Sequence, residues 1–163
     1  MRYAYYANLK PRQKAAYRLS DETVKLPLPN RPAFARLTAT IEKALDAEDR
    51  ARVESASRAL AEAIAAAFEV PPVRVKVLSR RPSTSESELH GLYETGDERA
   101  PAVIRVWMRT ARHKRVVAFR TFLRTLLHEL CHHLDYELLK LEDSFHTEGF
   151  FKRESSLFKQ LMT

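Results

Sequence analysis

One amphipathic stretch, residues 116–141, sets the strongest limit on the fold. Its apolar side chains recur at spacings of three and four, the period of an α-helix that packs one face against a core. The opposite face is polar and carries His128, Glu129, His132 and Asp135. We therefore expect a long helix whose apolar face is covered by the rest of the chain.

The sequence before this stretch begins with helical patterns. Residues 31–70 show two apolar stripes at helical spacing, separated by a break near residues 47–49, and we predict two scaffold helices. Pro71 and Pro72 end this pattern, because proline lacks a backbone donor and restricts the residue before it. The first 30 residues are Tyr-rich and basic and end in a proline-containing loop, so we predict an extended N-terminal segment.

A change of hydrophobic period indicates a small sheet. Valines alternate with basic residues at 73–77, which is typical of a half-buried strand. We predict further strands at 89–94 and 103–108 and a last helix at 147–161. This order of helices, sheet and helices predicts one α+β domain. Its predicted parts are the extended segment at 1–30, the scaffold helices at 31–70, and the sheet and last two helices at 71–163.

The composition is that of a globular domain and excludes several classes of protein. The chain has 163 residues, of which 45% are hydrophobic and 30% charged, enough to bury a core without covalent cross-links. Its single cysteine, Cys131, excludes an intramolecular disulfide and a multi-cysteine zinc site. Because no apolar run approaches the ~18 residues of a membrane span and no signal peptide is visible, we predict a cytoplasmic protein without a membrane partner.

Residues 128–132 have the H-E-x-x-H spacing of many zinc hydrolases. Residues four apart in a helix lie one turn apart, so the imidazoles of His128 and His132 can bind one ion. Glu129 then lies close to a zinc-activated water and can act as its general base. The separate apolar stripe favours this interpretation over two ordinary surface histidines. The motif predicts a zinc-dependent metallopeptidase that hydrolyses peptide bonds.

A catalytic zinc site usually has three protein ligands and one open position. His146, near the start of the last predicted helix, is the favoured third ligand. Glu148 and Glu154 are the alternatives, since a carboxylate from a following helix can also bind zinc. Asp135 is a candidate second-sphere acceptor that orients a ligand imidazole.

Two side chains are candidate donors to the oxyanion that develops during hydrolysis, Tyr136 and His113. Their residue types suit this role, but their positions in the sequence do not place them at the site.

Residues 125–152 resemble the SprT-like metallopeptidases, which are small zincin domains. The resemblance rests on the H-E-x-x-H motif and on His146-x-x-x-Phe150 downstream. It implies a zincin-like domain with N-terminal helices, a small twisted sheet, a long active-site helix and a C-terminal helix. It also implies Zn²⁺ bound by His128, His132 and His146, with Glu129 as the base.

The helix–sheet–helix order also resembles the minimal zincins called minigluzincins, whose third ligand is a glutamate. SprT-like proteins usually have a glycine directly after the third histidine, and this chain has Thr147. Glu148 and Glu154 therefore stay open as alternatives to His146.

The strand at 103–108 shortly precedes the histidine-bearing helix. In zincins a strand of this kind borders the cleft, so we predict that it binds an extended peptide by β-augmentation. The predicted substrate-binding residues are Val103, Ile104, Arg105, Val106 and Trp107.

A basic stretch supports an alternative function. The formal charge is +7, and seven basic residues but no carboxylate lie at 105–124, namely Arg105, Arg109, Arg112, Lys114, Arg115, Arg120 and Arg124. Such a stretch is compatible with a solvated loop or with a nucleic-acid-binding surface. The alternative is a non-catalytic module, stapled by zinc or free of metal, that binds nucleic acid. The sequence does not indicate the oligomeric state.

Overall fold

The computed structural model describes residues 2–80, 91–110 and 114–162. A short 3-10 helix at Ala4–Asn8 is followed by the elements α1 (Pro11–Glu22), α2 (Arg31–Asp46), α3 (Arg50–Ala67), β1 (Val73–Arg80), β2 (Gly91–Glu94), β3 (Ala102–Arg109), α4 (Phe119–Glu137) and α5 (Glu148–Met162). The α+β class is confirmed. Among these described residues, none of the helices has both the length and the apolar character needed to cross a bilayer.

Helices α2 and α3 form the predicted pair of scaffold helices. They pack against each other, and α3 also packs against β1. The chain reverses direction at Glu48, which has a positive φ of 52°. Asp49 then caps α3, because its carboxylate accepts the backbone N–H of Arg52 at 3.2 Å. Ile41, Leu60 and other fully buried residues of this pair belong to the main core.

The sheet has the strand order β1-β3-β2, with β3 parallel to β1 and antiparallel to β2. Ile104 of β3 pairs with Val75 on one side and with Tyr93 on the other. Residues 103–106 are thus paired with both neighbours, and Trp107 is buried. The predicted β-augmentation at Val103, Ile104, Arg105, Val106 and Trp107 is therefore wrong, because a central strand has no free edge for a peptide.

Helix α4 packs against β2 and β3, with Gly91 of β2 lying against Thr125 and Glu129. It is shorter than the predicted helix at 116–141. At the start, the backbone N–H of Val117 donates to the Met108 carbonyl, which extends the pairing of β3 instead of the helix. At the end, Lys140 adopts a positive φ of 55°, and the N–H of Leu141 returns to the Asp135 carbonyl. On the polar face of α4, His128 and His132 are half-buried, and Glu129 and Asp135 are buried.

The N-terminal segment is helical, which corrects the predicted extended segment at 1–30. Pro11 occupies the first turn of α1, where its missing N–H leaves no bond unmade. Tyr17 is fully buried, and Ser20 is buried at the contact of α1 with α5. The sequence pattern did not reveal α1 because its buried face consists of tyrosine, alanine and serine and not of an aliphatic stripe. The loop predicted near residues 26–29 is present.

Candidate metal centre

Three histidine side chains converge at the polar face of α4. The Nε2 atom of His146 lies 3.1 Å from Nε2 of His128 and 3.0 Å from Nε2 of His132. The three ligand atoms all lie within 4.8 Å of one another. A tetrahedral zinc ion with Zn–N bonds of about 2.05 Å separates its ligand nitrogens by about 3.3 Å. The distances to His146 are close to this value, so the donor set fits a single ion.

The loop between α4 and α5 brings His146 to this position. Thr147 caps α5, because its Oγ1 accepts the backbone N–H of Phe150 at 2.9 Å. The first turn of α5 lies directly on α1. A Cβ added to Gly149 would meet the Ser20 carbonyl oxygen at 2.1 Å, so only glycine permits this approach. Thr147, where SprT-like proteins usually have glycine, thus serves as the helix cap beside His146.

Glu154 contacts a histidine of the group and does not join the three converging donors. Its Oε1 accepts a hydrogen bond from Nδ1 of His128 at 2.7 Å. This bond fixes the proton on Nδ1 and leaves Nε2 free to bind a metal, the usual arrangement of a carboxylate behind a histidine ligand. Glu148 points away, forms a 3.2 Å ion pair with Lys152 and is half exposed. The geometry therefore favours His146 over both glutamates as the third ligand.

His132 is oriented through Ser144, a residue that was not predicted to belong to the site. The Nδ1 atom of His132 donates to Ser144 Oγ at 2.6 Å, and Ser144 Oγ donates to Asp135 Oδ2 at 2.7 Å. Asp135 was predicted to orient a ligand imidazole, and it contacts His132 through this hydroxyl group. Asp135 itself is fully buried. No sequence signal distinguishes Ser144 from other loop serines.

A buried arginine continues this chain of bonds to the N-terminal helix. Arg153 of α5 is fully buried and donates to Asp135 Oδ1 at 3.0 Å. It also donates to the Ser20 hydroxyl and to the carbonyls of Ser20 and Thr23 at the end of α1. Arg153 therefore neutralises the buried carboxylate and joins α1 to the centre.

Glu129 lies in a buried and closely packed position beside the histidines. It is only 6% exposed, and this burial raises its pKa to about 7, with a smaller lowering by His128 and a further rise from Glu154. A Cβ added to Gly91 of β2 would lie 2.9 Å from Glu129 Oε1, so glycine lets the strand approach the carboxylate. A carboxyl group with a pKa near neutrality can both accept and return a proton.

Desolvation favours the neutral form of two of the histidines. The pKa of His132 is lowered to about 3, first by desolvation and then by His128 and His146. Desolvation likewise lowers the pKa of His146, and the nearby His128 adds to this effect. Neutral imidazole is the form that binds a metal ion. Both side chains are thus prepared for ligation near pH 7.

The three histidines line an open groove with a volume of about 870 Å³. Residues 91–95 line one wall of the groove. Other parts of the groove are lined by residues that include Thr121, Thr125 and Phe151. Tyr136 also lines the groove; its hydroxyl accepts the backbone N–H of Ser144 at 3.3 Å, and its ring stacks on Tyr93. The other predicted oxyanion donor, His113, lies outside the described residues.

Much of the basic stretch at 105–124 is engaged in local contacts. Arg105 pairs with Glu94, Arg109 with Glu48 and Arg124 with Glu154. Arg120 and Arg124 also lie over the ring of Phe158. Arg112 lies outside the described residues. The binding of nucleic acid by this stretch stays a prediction. These contacts favour the other interpretation, in which the basic side chains stabilise the fold.

Comparisons with protein-family models, curated proteins and solved structures gave no match. The resemblance to SprT-like metallopeptidases therefore stays a prediction, and the functional assignment depends on the geometry of the site.

Proposed function

We propose that the protein is a zinc-dependent metallopeptidase. The observation that carries this proposal is the convergence of three Nε2 atoms, at 3.0 and 3.1 Å from His146, beside a buried glutamate in an open groove. When bound, zinc lowers the pKa of a water molecule and polarises a carbonyl group. A purely structural zinc site is closed and does not need such a carboxylate.

Glu129 is the proposed general base and acid. Its raised pKa, about 7, suits a group that takes a proton from the attacking water and gives it to the leaving amine. The walls of the groove hold the carboxylate in place, with Gly91 on one side. His128 and His132 are held by Glu154 and Ser144, which supports a rigid ligand set.

Strand β2 is the proposed substrate-binding strand. It forms an edge of the sheet and lines the groove. In the part of the chain that the structure describes, its outer edge has no strand partner. An extended peptide can pair with this edge and bring one of its bonds to the histidines. A peptide-bound structure in which the substrate backbone pairs with another strand would overturn this assignment.

The decisive experiment compares the wild type with Glu129→Gln, using a quenched fluorescent peptide and a zinc assay. Removal of the base is expected to lower kcat by about 10²–10⁴-fold, while zinc content and folding stay unchanged. Glu98→Gln, an exposed carboxylate outside the groove, is the matched control and should retain full activity. Equal activity of the Glu129 variant and the wild type would refute the proposed role.

The alternative is a non-catalytic module. It predicts stoichiometric zinc, or none, together with no cleavage of any peptide by the wild type. The cytoplasmic location stays a prediction from the sequence.

A further inference from the structure

A second groove adjoins the metal centre. Its volume is about 660 Å³, and it lies where α5 meets the start of α2 and the linker that follows α1. Phe151 lines both this groove and the groove of the metal centre. The ring of Phe151 lies 5.7 Å from that of His146, centroid to centroid, and its side chain is 41% exposed. A chain that leaves the histidines past Phe151 therefore enters the second groove.

The two grooves differ in their charge. Among the described residues, four cations, Lys25, Arg31, Lys152 and Lys159, line the second groove, and its one carboxylate, Glu148, pairs with Lys152 at 3.2 Å. The described lining of the metal groove instead contains three glutamates, Glu94, Glu129 and Glu154, and one arginine, Arg124, so a bound Zn²⁺ would bring it close to neutral. We refer to the second groove, defined by its four cations, as the basic groove. An acidic segment is therefore attracted more strongly to the basic groove than to the metal groove.

The basic groove also contains apolar surface. Tyr3 and Val24 line it together with Phe151, and they are 41% and 38% exposed. A peptide that alternates acidic and apolar side chains matches this combination of cations and apolar contacts. A single-stranded nucleic acid would instead need free aromatic faces for its bases, whereas the ring of Tyr3 already stacks on Tyr5 at 6.0 Å and that of Phe151 packs against His146 at 5.7 Å.

We infer that the basic groove binds an acidic segment of the peptide substrate, to one side of the bond that is cleaved. This inference rests on the proposed peptidase function, because the substrate continues from the metal groove past Phe151. Specificity comes from Lys25 and Arg31, two exposed cations on different parts of the chain, whereas Lys152 of α5, which also lines the groove, is already paired with Glu148. The protein thus selects substrates with acidic residues at a distance from the scissile bond.

The test measures binding, so it does not depend on cleavage. The probe is a fluorescein-labelled peptide of alternating Glu and Leu, and its anisotropy is compared with that of a Gln and Leu peptide, using Glu129→Gln protein. The acidic peptide is expected to bind about tenfold more tightly in low salt, with the difference shrinking as salt is added. The double variant Lys25→Gln/Arg31→Gln should bind both peptides equally.

A matched control removes the same charge elsewhere. Arg74→Gln/Lys76→Gln lies on β1, the sheet edge opposite β2, and should retain the preference for the acidic peptide. Equal binding of the two peptides by the unmodified groove would overturn the inference. Tighter binding of a single-stranded oligonucleotide than of the acidic peptide would also overturn it.

The outcomes separate this inference from the proposed function. If the wild type cleaves no peptide but the groove binds the acidic peptide as described, the peptidase function fails and the binding site stands. If the wild type cleaves neutral peptides and the groove shows no acidic preference, the peptidase function stands and this inference fails.

Discussion

Replacing Ser144 with alanine removes the hydroxyl group that joins His132 to Asp135. In the wild type this group accepts from His132 at 2.6 Å and donates to Asp135 at 2.7 Å. Alanine leaves Nδ1 of His132 without its acceptor, so the ring can rotate and its tautomer is no longer fixed. It also leaves one oxygen of the fully buried Asp135 without its donor.

The magnitude of both effects follows from these contacts. Loss of a second-sphere hydrogen bond to a histidine ligand typically weakens metal affinity by about 10–100-fold. Loss of a hydrogen bond to a buried carboxylate oxygen lowers the free energy of unfolding by about 1–3 kcal/mol. Arg153 still donates to the other oxygen of Asp135, which keeps the stability loss at the low end of this range. We therefore expect about tenfold to hundredfold weaker zinc binding and a free energy of unfolding lower by about 1 kcal/mol.

The assay is competition for zinc against a chromophoric chelator, with urea unfolding of the metal-free protein alongside. Ser144→Thr keeps a hydroxyl group and should recover most of the affinity, whereas Ser144→Ala should not. Substitution of cobalt gives an independent signal, because the d–d absorption spectrum reports the orientation of the ligands. Unchanged zinc affinity in Ser144→Ala would refute the reasoning that this hydroxyl group positions His132.

Two further changes test the surroundings of the centre. Arg153→Met leaves Asp135 as a buried charge without its partner and should lower the free energy of unfolding, measured in urea, by about 3–5 kcal/mol. The control Lys152→Met, on the exposed side of α5, should change it by less than about 0.5 kcal/mol. Similar losses in both variants would contradict the role of Arg153. Gly91→Ala places a methyl group 2.9 Å from Glu129 Oε1 and displaces the base. The variant should therefore have a kcat reduced about 10–100-fold and should retain its zinc. An unaffected kcat would show that Glu129 does not need this close approach.

The parts of the site that lie on one helix could be predicted from the sequence. His128, Glu129 and His132 share a face of α4 because helical geometry fixes their spacing. His146 was favoured as the third ligand, since a short loop must return the chain to α4 before α5, but the spacing left Glu148 and Glu154 as alternatives. These are local relations that depend on few residues.

Relations between distant segments could not be predicted in this way. The order of the strands depends on pairing between segments distant in the sequence, and no local pattern in 103–108 reveals that β3 pairs on both sides. Arg153 is separated in the sequence from its partners Asp135 and Ser20, so no periodicity reveals the bond. The charge of a helical arginine suggests a solvated side chain, and only the packing of α1 against α5 buries this one.

The central claim is that three histidines bind one zinc ion. The most direct measurement is zinc per chain in protein purified without added metal, comparing the wild type with His146→Ala. We predict close to one zinc per wild-type chain and a sharp loss in the variant, with Glu148→Ala as a control that retains the metal. Full zinc in His146→Ala, or none in the wild type even after reconstitution, would contradict the account.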